Sequence, residues 1–135
     1  MKRYTLRPGV HLTRVYLYQG VVDFRRGHRG LASLIEHELG HDPFSGILYI
    51  FANRQRNKIK CLFWEENGFA LYYKALAEER FHWPQDDQEL LTLNGEQLNW
   101  LLDGYNVALM KPHRRLRVSV HSGTLFTLQV MHPTI

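Results

Sequence analysis

The chain has a single cysteine among 135 residues and no long apolar run. Cys61 alone excludes an internal disulfide and suits a reducing compartment. The longest uninterrupted apolar stretch, Ile47 to Ala52, falls far short of the ~20 residues of a membrane-spanning helix, so no membrane partner is expected. Met1 to Thr5 carries charge with no apolar stretch behind it, so the expectation is a cytoplasmic protein without a secretory signal. The familiar catalytic signatures are missing as well. There is no Gly-x-x-x-x-Gly-Lys phosphate loop, no Gly-x-Gly-x-x-Gly, no Gly-x-Ser-x-Gly elbow and no cysteine pair for a zinc ribbon. The carboxylates crowd into residues 65–103, mostly in expected turns, which is a poor setting for the acidic metal triad of a transposase. No cofactor and no small-molecule substrate are expected.

What is present is enough for one folded unit. Apolar residues make up 44% of the chain and aromatics 13%, which supports a core and argues against disorder. Charge is segregated along the chain. Residues 1–60 hold eleven Lys/Arg against four Asp/Glu, whereas residues 61–110 hold two against nine. The tail from Lys111 adds four more cations. This asymmetry suggests a basic face for polyanions and an acidic face that could meet a basic partner, although ordinary solvated faces would look the same.

Hydrophobic periodicity predicts an α+β fold: an antiparallel β-meander with a helix before it and a helix after it, in a single domain over residues 1–110. Arg14 to Tyr18 reads as a first strand ending at Gly20. Asp23 stands at a helix N-cap, and Leu31, Leu34, Ile35 and Leu39 follow at helical spacing. Gly27 and Gly30 weaken the first half of that helix, and Gly40 with Asp42-Pro43 stops it. Ile47 to Asn53 is a strand apolar on both faces. Arg54 to Asn57 turns the chain into Lys58–Glu65, and Asn67-Gly68 turns it again into Phe69–Leu76. Pairing across that turn is expected to set Trp64 opposite Leu71 and Leu62 opposite Tyr73, with Ile59, Phe63, Tyr72 and Leu76 on the other face. Asn94 and Gln97 form a capping-box start for a last helix carrying Leu98, Leu101 and Leu102. Residues 111–135 form a basic tail, read either as an appended hairpin or as loosely ordered.

One catalytic pattern stands out: His37-Glu38-Leu39-Gly40-His41, the H-E-x-x-H of zinc peptidases. In that chemistry two histidines one helical turn apart bind zinc and the glutamate activates water. Here the helix is expected to end at Gly40, which leaves His41 in the exit turn. No downstream histidine follows at metzincin spacing, and Glu65 and Glu66 lie at a hairpin. A zinc-dependent peptidase is therefore the distant alternative. Two histidines near a helix C-terminus, where partial positive charge suits the dipole, is the simpler reading.

The basic clusters carry more weight. Arg54, Arg56, Lys58 and Lys60 sit on or beside one turn, flanked by Tyr49, Phe51 and Trp64. Arg25 and Arg26 fall in an expected first helical turn, where positive charge opposes the macrodipole unless an anion is bound there. Lys111, Arg114, Arg115 and Arg117 form a third cluster, with His113 among them. Any one cluster alone is equally well a solvated surface, and no base-reading motif is present. The three together suggest contact with duplex DNA through its backbone, without sequence specificity.

Several blocks are also recognisable. They are Gly20-Val-Val-Asp23-Phe-Arg25-Arg26-Gly27, Asp42-Pro43-Phe44-Ser45-Gly46, Phe51-Ala-Asn53-Arg54, Ile59-Lys60-x-Leu62-x-Trp64, Asn67-Gly68-Phe69, Tyr73-Lys74 and Arg80-Phe81-x-Trp83-Pro84. Over roughly Arg14 to Tyr105 the chain resembles the TnpB-type accessory protein, product of the second reading frame, of the insertion-sequence-sixty-six family of bacterial transposons. That resemblance implies a protein encoded beside a separate transposase and needed for efficient transposition. The histidines of the zinc-like pattern are not part of the family signature, and Ala75 stands where the family often has a second basic residue. The expectation is a non-catalytic accessory contacting DNA, the transposase of the same element, or both. A pure protein–protein adaptor is the close competitor.

Overall fold

Five runs rich in β-branched and aromatic side chains pair into one sheet. In the computed structural model, which describes residues 7–110, 116–119 and 127–130, these are β1 (Val15–Val21), β2 (Leu48–Ala52), β3 (Lys58–Glu65), β4 (Gly68–Ala75) and β5 (Leu90–Leu93). Their order across the sheet is β4-β3-β2-β1-β5. Helix α1 (His28–Ser33) lies between β1 and β2 and runs on into a π-helical turn, Leu34–Glu38. Helix α2 (Gly95–Leu102) follows β5. The architecture is therefore α+β, with one helix before the central hairpin and one after it. No helix among the described residues is long and apolar enough to cross a membrane.

The expected antiparallel meander is present as β2-β3-β4, but the sheet built around it is mixed, which is the first correction. β2–β3 and β3–β4 are antiparallel, but β1 and β2 run parallel, with Val15 beside Leu48 and Leu17 beside Ile50. The helical segment between them carries the chain back across the sheet, as a parallel crossover requires. β5 is the second correction: Leu90–Leu93, not among the strands expected from the sequence, pairs antiparallel with β1, Val15 opposite Leu93. The third concerns register. Glu65 pairs with Gly68, so the hairpin loop is Glu66-Asn67 and the left-handed backbone falls on Glu66, φ 48°. Trp64 therefore faces Phe69, Leu62 faces Leu71 and Lys60 faces Tyr73. A shift of two residues preserves the expected faces.

Those faces bury two cores. On one, Val15, Leu17, Ile50, Ile59 and Cys61 pack with Leu98, Leu101 and Leu102 of α2 and with Phe81 and Trp83. On the other, Tyr49, Phe51 and Leu62 pack with Leu31, Leu34 and Ile35 of the first helix. Each fully buried Leu or Ile contributes about 1.5–3 kcal/mol. Burial also pushes the Cys61 thiol far up from its ordinary range, which keeps it protonated and unreactive. The capping box of α2 is present. Asn94 Oδ1 accepts from Gln97 N at 2.8 Å, and Gln97 Oε1 accepts from Asn94 N at 2.9 Å. Gly95 must lack a side chain, because a Cβ there would strike the carbonyl of Gly9.

Asp23 is not the cap of the first helix. Gly27 occupies that position, without a side-chain cap, and Asp23 instead closes a turn one step earlier by accepting from Arg25 N at 2.9 Å. Arg25 and Arg26 thus lie in a turn before the helix, and the expected conflict with its dipole does not arise. At the other end Gly40 adopts φ 70° and the helix stops. The amide of His41 reaches back to the carbonyl of Ile35 at 2.9 Å, a closing bond one residue longer than usual because the last turn is π-helical. In the tail, Leu116–Ser119 pairs antiparallel with Thr127–Val130.

Candidate functional site

The turn between β2 and β3 is built around Asn53. Its Oδ1 accepts from the amides of Asn57 (3.1 Å) and Lys58 (3.0 Å), and its Nδ2 donates to Asn57 Oδ1 at 2.6 Å. Folding the turn this way throws Arg54 and Gln55 outward and sends Arg56 inward. Arg56 takes a left-handed backbone, φ 59°. Its guanidinium lies 5.0 Å from the Trp83 ring centroid and its Nη2 donates to the Gln19 carbonyl at 3.1 Å. Desolvation lowers its pKa. Arg56 is thereby engaged in joining the turn to the 81–84 segment.

Lys58 and Lys60 alternate with Ile59 and Cys61 along β3, so both point to the face covered by the first helix. They have different surroundings. Lys60 is only 8% exposed, and its Nζ donates to the carbonyls of Phe24 at 3.0 Å and Arg26 at 2.7 Å. It also lies 4.9 Å from the Phe24 ring and 5.7 Å from the Tyr73 ring. Burial first, then the neighbouring Lys58, lowers its pKa. Lys60 staples the 23–27 loop to the sheet. Lys58 and Arg54 have no carboxylate within ion-pair reach among the described residues.

Fixing that loop carries Arg25 and Arg26 toward the β2–β3 turn. Arg25 is held beside Asp23, Nη2 to Oδ2 at 2.6 Å, with its side chain 91% exposed. The Arg25 side-chain hydrogen bond, then its backbone amide, holds the Asp23 carboxyl down at about 2. Arg26 lies 3.9 Å from Glu38. The result is an open hollow of about 970 Å³ at one end of the sheet. Arg25, Arg26, Arg54, Lys58 and Lys60 line it, and so do the carboxylates Asp23 and Glu38. Its apolar lining includes Val22, Phe24, Leu34, Leu71 and Tyr73, of which Leu71 is 40% and Tyr73 51% exposed.

Two of the three basic clusters read from sequence therefore converge on one concave surface, apart from Arg56, which is not among its lining residues. Lys111, Arg114 and Arg115 lie outside the described residues. Arg117 falls in the paired segment Leu116–Ser119, its side chain likewise outside them. Sequence reasoning missed Tyr73 and Leu71 as site residues. The period-two pattern Lys58-x-Lys60-x-Leu62 is the signal that places the lysines on the same face as these two.

The zinc-like pattern is taken apart by the helix end. His37 stays on the exposed helix surface, its Nε2 3.5 Å from Glu36. His41 turns to the sheet, with Nδ1 2.6 Å from the Tyr49 hydroxyl and its ring 5.4 Å from Tyr16. Burial, then Tyr16 and Asp42, pushes the Tyr49 hydroxyl up to about 12. Among the described residues no three His, Cys, Asp or Glu side chains gather where a metal ion could be held.

The family described as IS66 Orf2 like protein matches residues 13–112. Two relatives come from Sinorhizobium fredii. "Uncharacterized protein y4jC" is 29% identical over 98 residues, covering 73% of this chain and 84% of the relative. "Uncharacterized protein y4hO" is 30% identical over 97 residues, covering 72% and 84%. No solved structure matches the chain.

Proposed function

The chain belongs to the IS66 Orf2-like family, and from that premise we propose that it serves the transposition of a bacterial insertion sequence as a non-catalytic accessory that contacts the DNA backbone and the transposase. One observation carries the DNA part of this reading. Arg25 and Arg26 come from one segment, Arg54 and Lys58 from another some thirty residues on, and all four line a single hollow. Cations outnumber the two carboxylates Asp23 and Glu38 on this surface, which leaves a net positive footprint for a polyanion. Among the residues that line the hollow there is no base-reading helix or ribbon, so binding there is read as through phosphate and independent of sequence. The exposed acidic stretch Asp86, Asp87 and Glu89 is the surface suited to a basic transposase, through steering of the encounter.

The test is transposition of an element carrying Arg25→Ala, Arg54→Ala and Lys58→Ala in this gene, with the transposase gene intact. Transposition is expected to fall several-fold at unchanged protein level. Wild-type frequency from the triple variant would leave the hollow without a role in the process and favour an adaptor that touches only protein.

A further inference from the structure

The hollow is unlike a surface made only for a duplex backbone. Its cations share the lining with Val22, Phe24, Leu34, Leu71 and Tyr73. Phosphates on a duplex ridge need cations on a rim and gain nothing from an apolar interior. At about 970 Å³ the hollow lies near the upper end of the ~300–1,000 Å³ typical of small-ligand sites. Tyr73 is 51% exposed and directly opposite Lys60 in the β3–β4 register. The Phe24 ring meets it edge-on at 6.0 Å, and the Lys60 ammonium lies 5.7 Å from its ring centroid. Tyr73 is therefore held in place while half of its surface faces outward. An exposed aromatic side chain beside several cations is the arrangement that holds single-stranded nucleic acid, bases stacking on the aromatic face and phosphates on the charges. A base pair inside a duplex cannot use such a ring, because its two faces are already covered by its neighbours in the stack.

From this we infer that the hollow seats an unpaired nucleotide of DNA, its base against Tyr73 and Leu71 and its flanking phosphates on Arg25, Arg54 and Lys58. The inference rests on the proposed function and narrows it: the protein prefers a junction between duplex and unpaired strand over blunt duplex. Asp23 and Glu38 in the lining fit this reading, since they disfavour filling the hollow with phosphate alone.

Fluorescence anisotropy on the full chain tests it with three labelled probes: a blunt duplex, the same duplex with a four-nucleotide thymidine overhang, and that duplex with an abasic overhang of equal length. The thymidine overhang is expected to bind about tenfold tighter than the other two, the gain of one stacked base. Tyr73→Ala should remove that gain, bringing the affinity ratio of the thymidine to the abasic overhang down to about one. Tyr73→Phe should keep the gain. Equal binding of the thymidine and abasic overhangs overturns the inference, as does a gain that survives Tyr73→Ala. Salt-sensitive binding of all three probes alike sinks this inference and leaves the DNA reading standing. Failure of every probe to bind at low salt sinks both and leaves an acidic protein segment as the better occupant of the hollow.

Discussion

The two faces of the sheet are built to different ends. The face under α2 is closed by hydrocarbon, with Leu17, Ile50, Ile59, Leu98, Leu101 and Leu102 all fully buried. The face under the first helix is closed around Leu31, Leu34 and Ile35, which pack on Tyr49, Phe51 and Leu62 and reach Phe69 of β4. Beyond Phe69, at Leu71 and Tyr73, the cover runs out, and there a lysine rather than a leucine joins the loop to the sheet. The difference teaches where a small α+β domain can make room for a ligand. A short helix interrupted by a π-helical turn leaves one end of the sheet uncovered, and cationic side chains whose stems pack on apolar surface fill the gap.

Removing hydrocarbon from each face should give the largest contrast. Leu101→Ala is expected to cost about 2–5 kcal/mol by urea denaturation, as buried leucine truncations do. Leu71→Ala on the open face should cost about 0.5 kcal/mol or less, in line with exposed positions. Similar costs at the two sites would erase the distinction between a closed face and an open one.

The cationic side chains sharpen the same contrast at smaller size. Lys60→Met keeps the apolar stem and removes two hydrogen bonds to the 23–27 loop, for an expected loss of about 1–3 kcal/mol. Arg56→Ala gives up the Trp83 contact and the bond to Gln19, with a similar loss expected. Arg54→Ala and Lys58→Ala should each stay within about 0.5 kcal/mol of the wild type in the same assay. Stability losses at Arg54 or Lys58 as large as at Lys60 would make the whole cluster structural.

Much of the fold was legible where the determinants are local. The capping box at Asn94 and Gln97, the stop at Gly40, the hairpin between β3 and β4 and the alternation of Ile59, Cys61 and Phe63 all follow from residues close in sequence. The parallel pairing of β1 with β2 and the recruitment of Leu90–Leu93 as a fifth strand were not legible, because both are set by contacts between distant segments. The site shows the same division. Arg25, Arg26, Arg54 and Lys58 stand out as charge clusters, but so do Lys60 and Arg56, whose roles are fixed by partners far along the chain. Lys60 binds carbonyls 34 and 36 residues away, and Arg56 binds one 37 residues away. Composition cannot tell a staple from an exposed cation.

The smallest expected effect is a titration. Asp23 has a folded-state pKa of about 2 against an ordinary 3.8, so whatever it adds to the turn is fully present above 3.8 and is lost as pH falls through about 2. Carboxyl NMR should find that midpoint in the wild type and find it raised toward the ordinary value in Arg25→Ala. An Asp23 midpoint that ignores Arg25 would mean that the pair is not formed in solution.

The most direct test of the central claim is the salt dependence of binding to a blunt DNA duplex. Each phosphate contact adds about −0.9 to the slope of log affinity on log salt, so Arg25→Ala, Arg54→Ala and Lys58→Ala together should flatten it by roughly two to three units. Arg56→Ala, in a side chain packed against Trp83, should leave the slope unchanged. A folded triple variant with the wild-type slope, or a slope that flattens with Arg56→Ala instead, would contradict the assignment of the hollow as the surface that meets DNA.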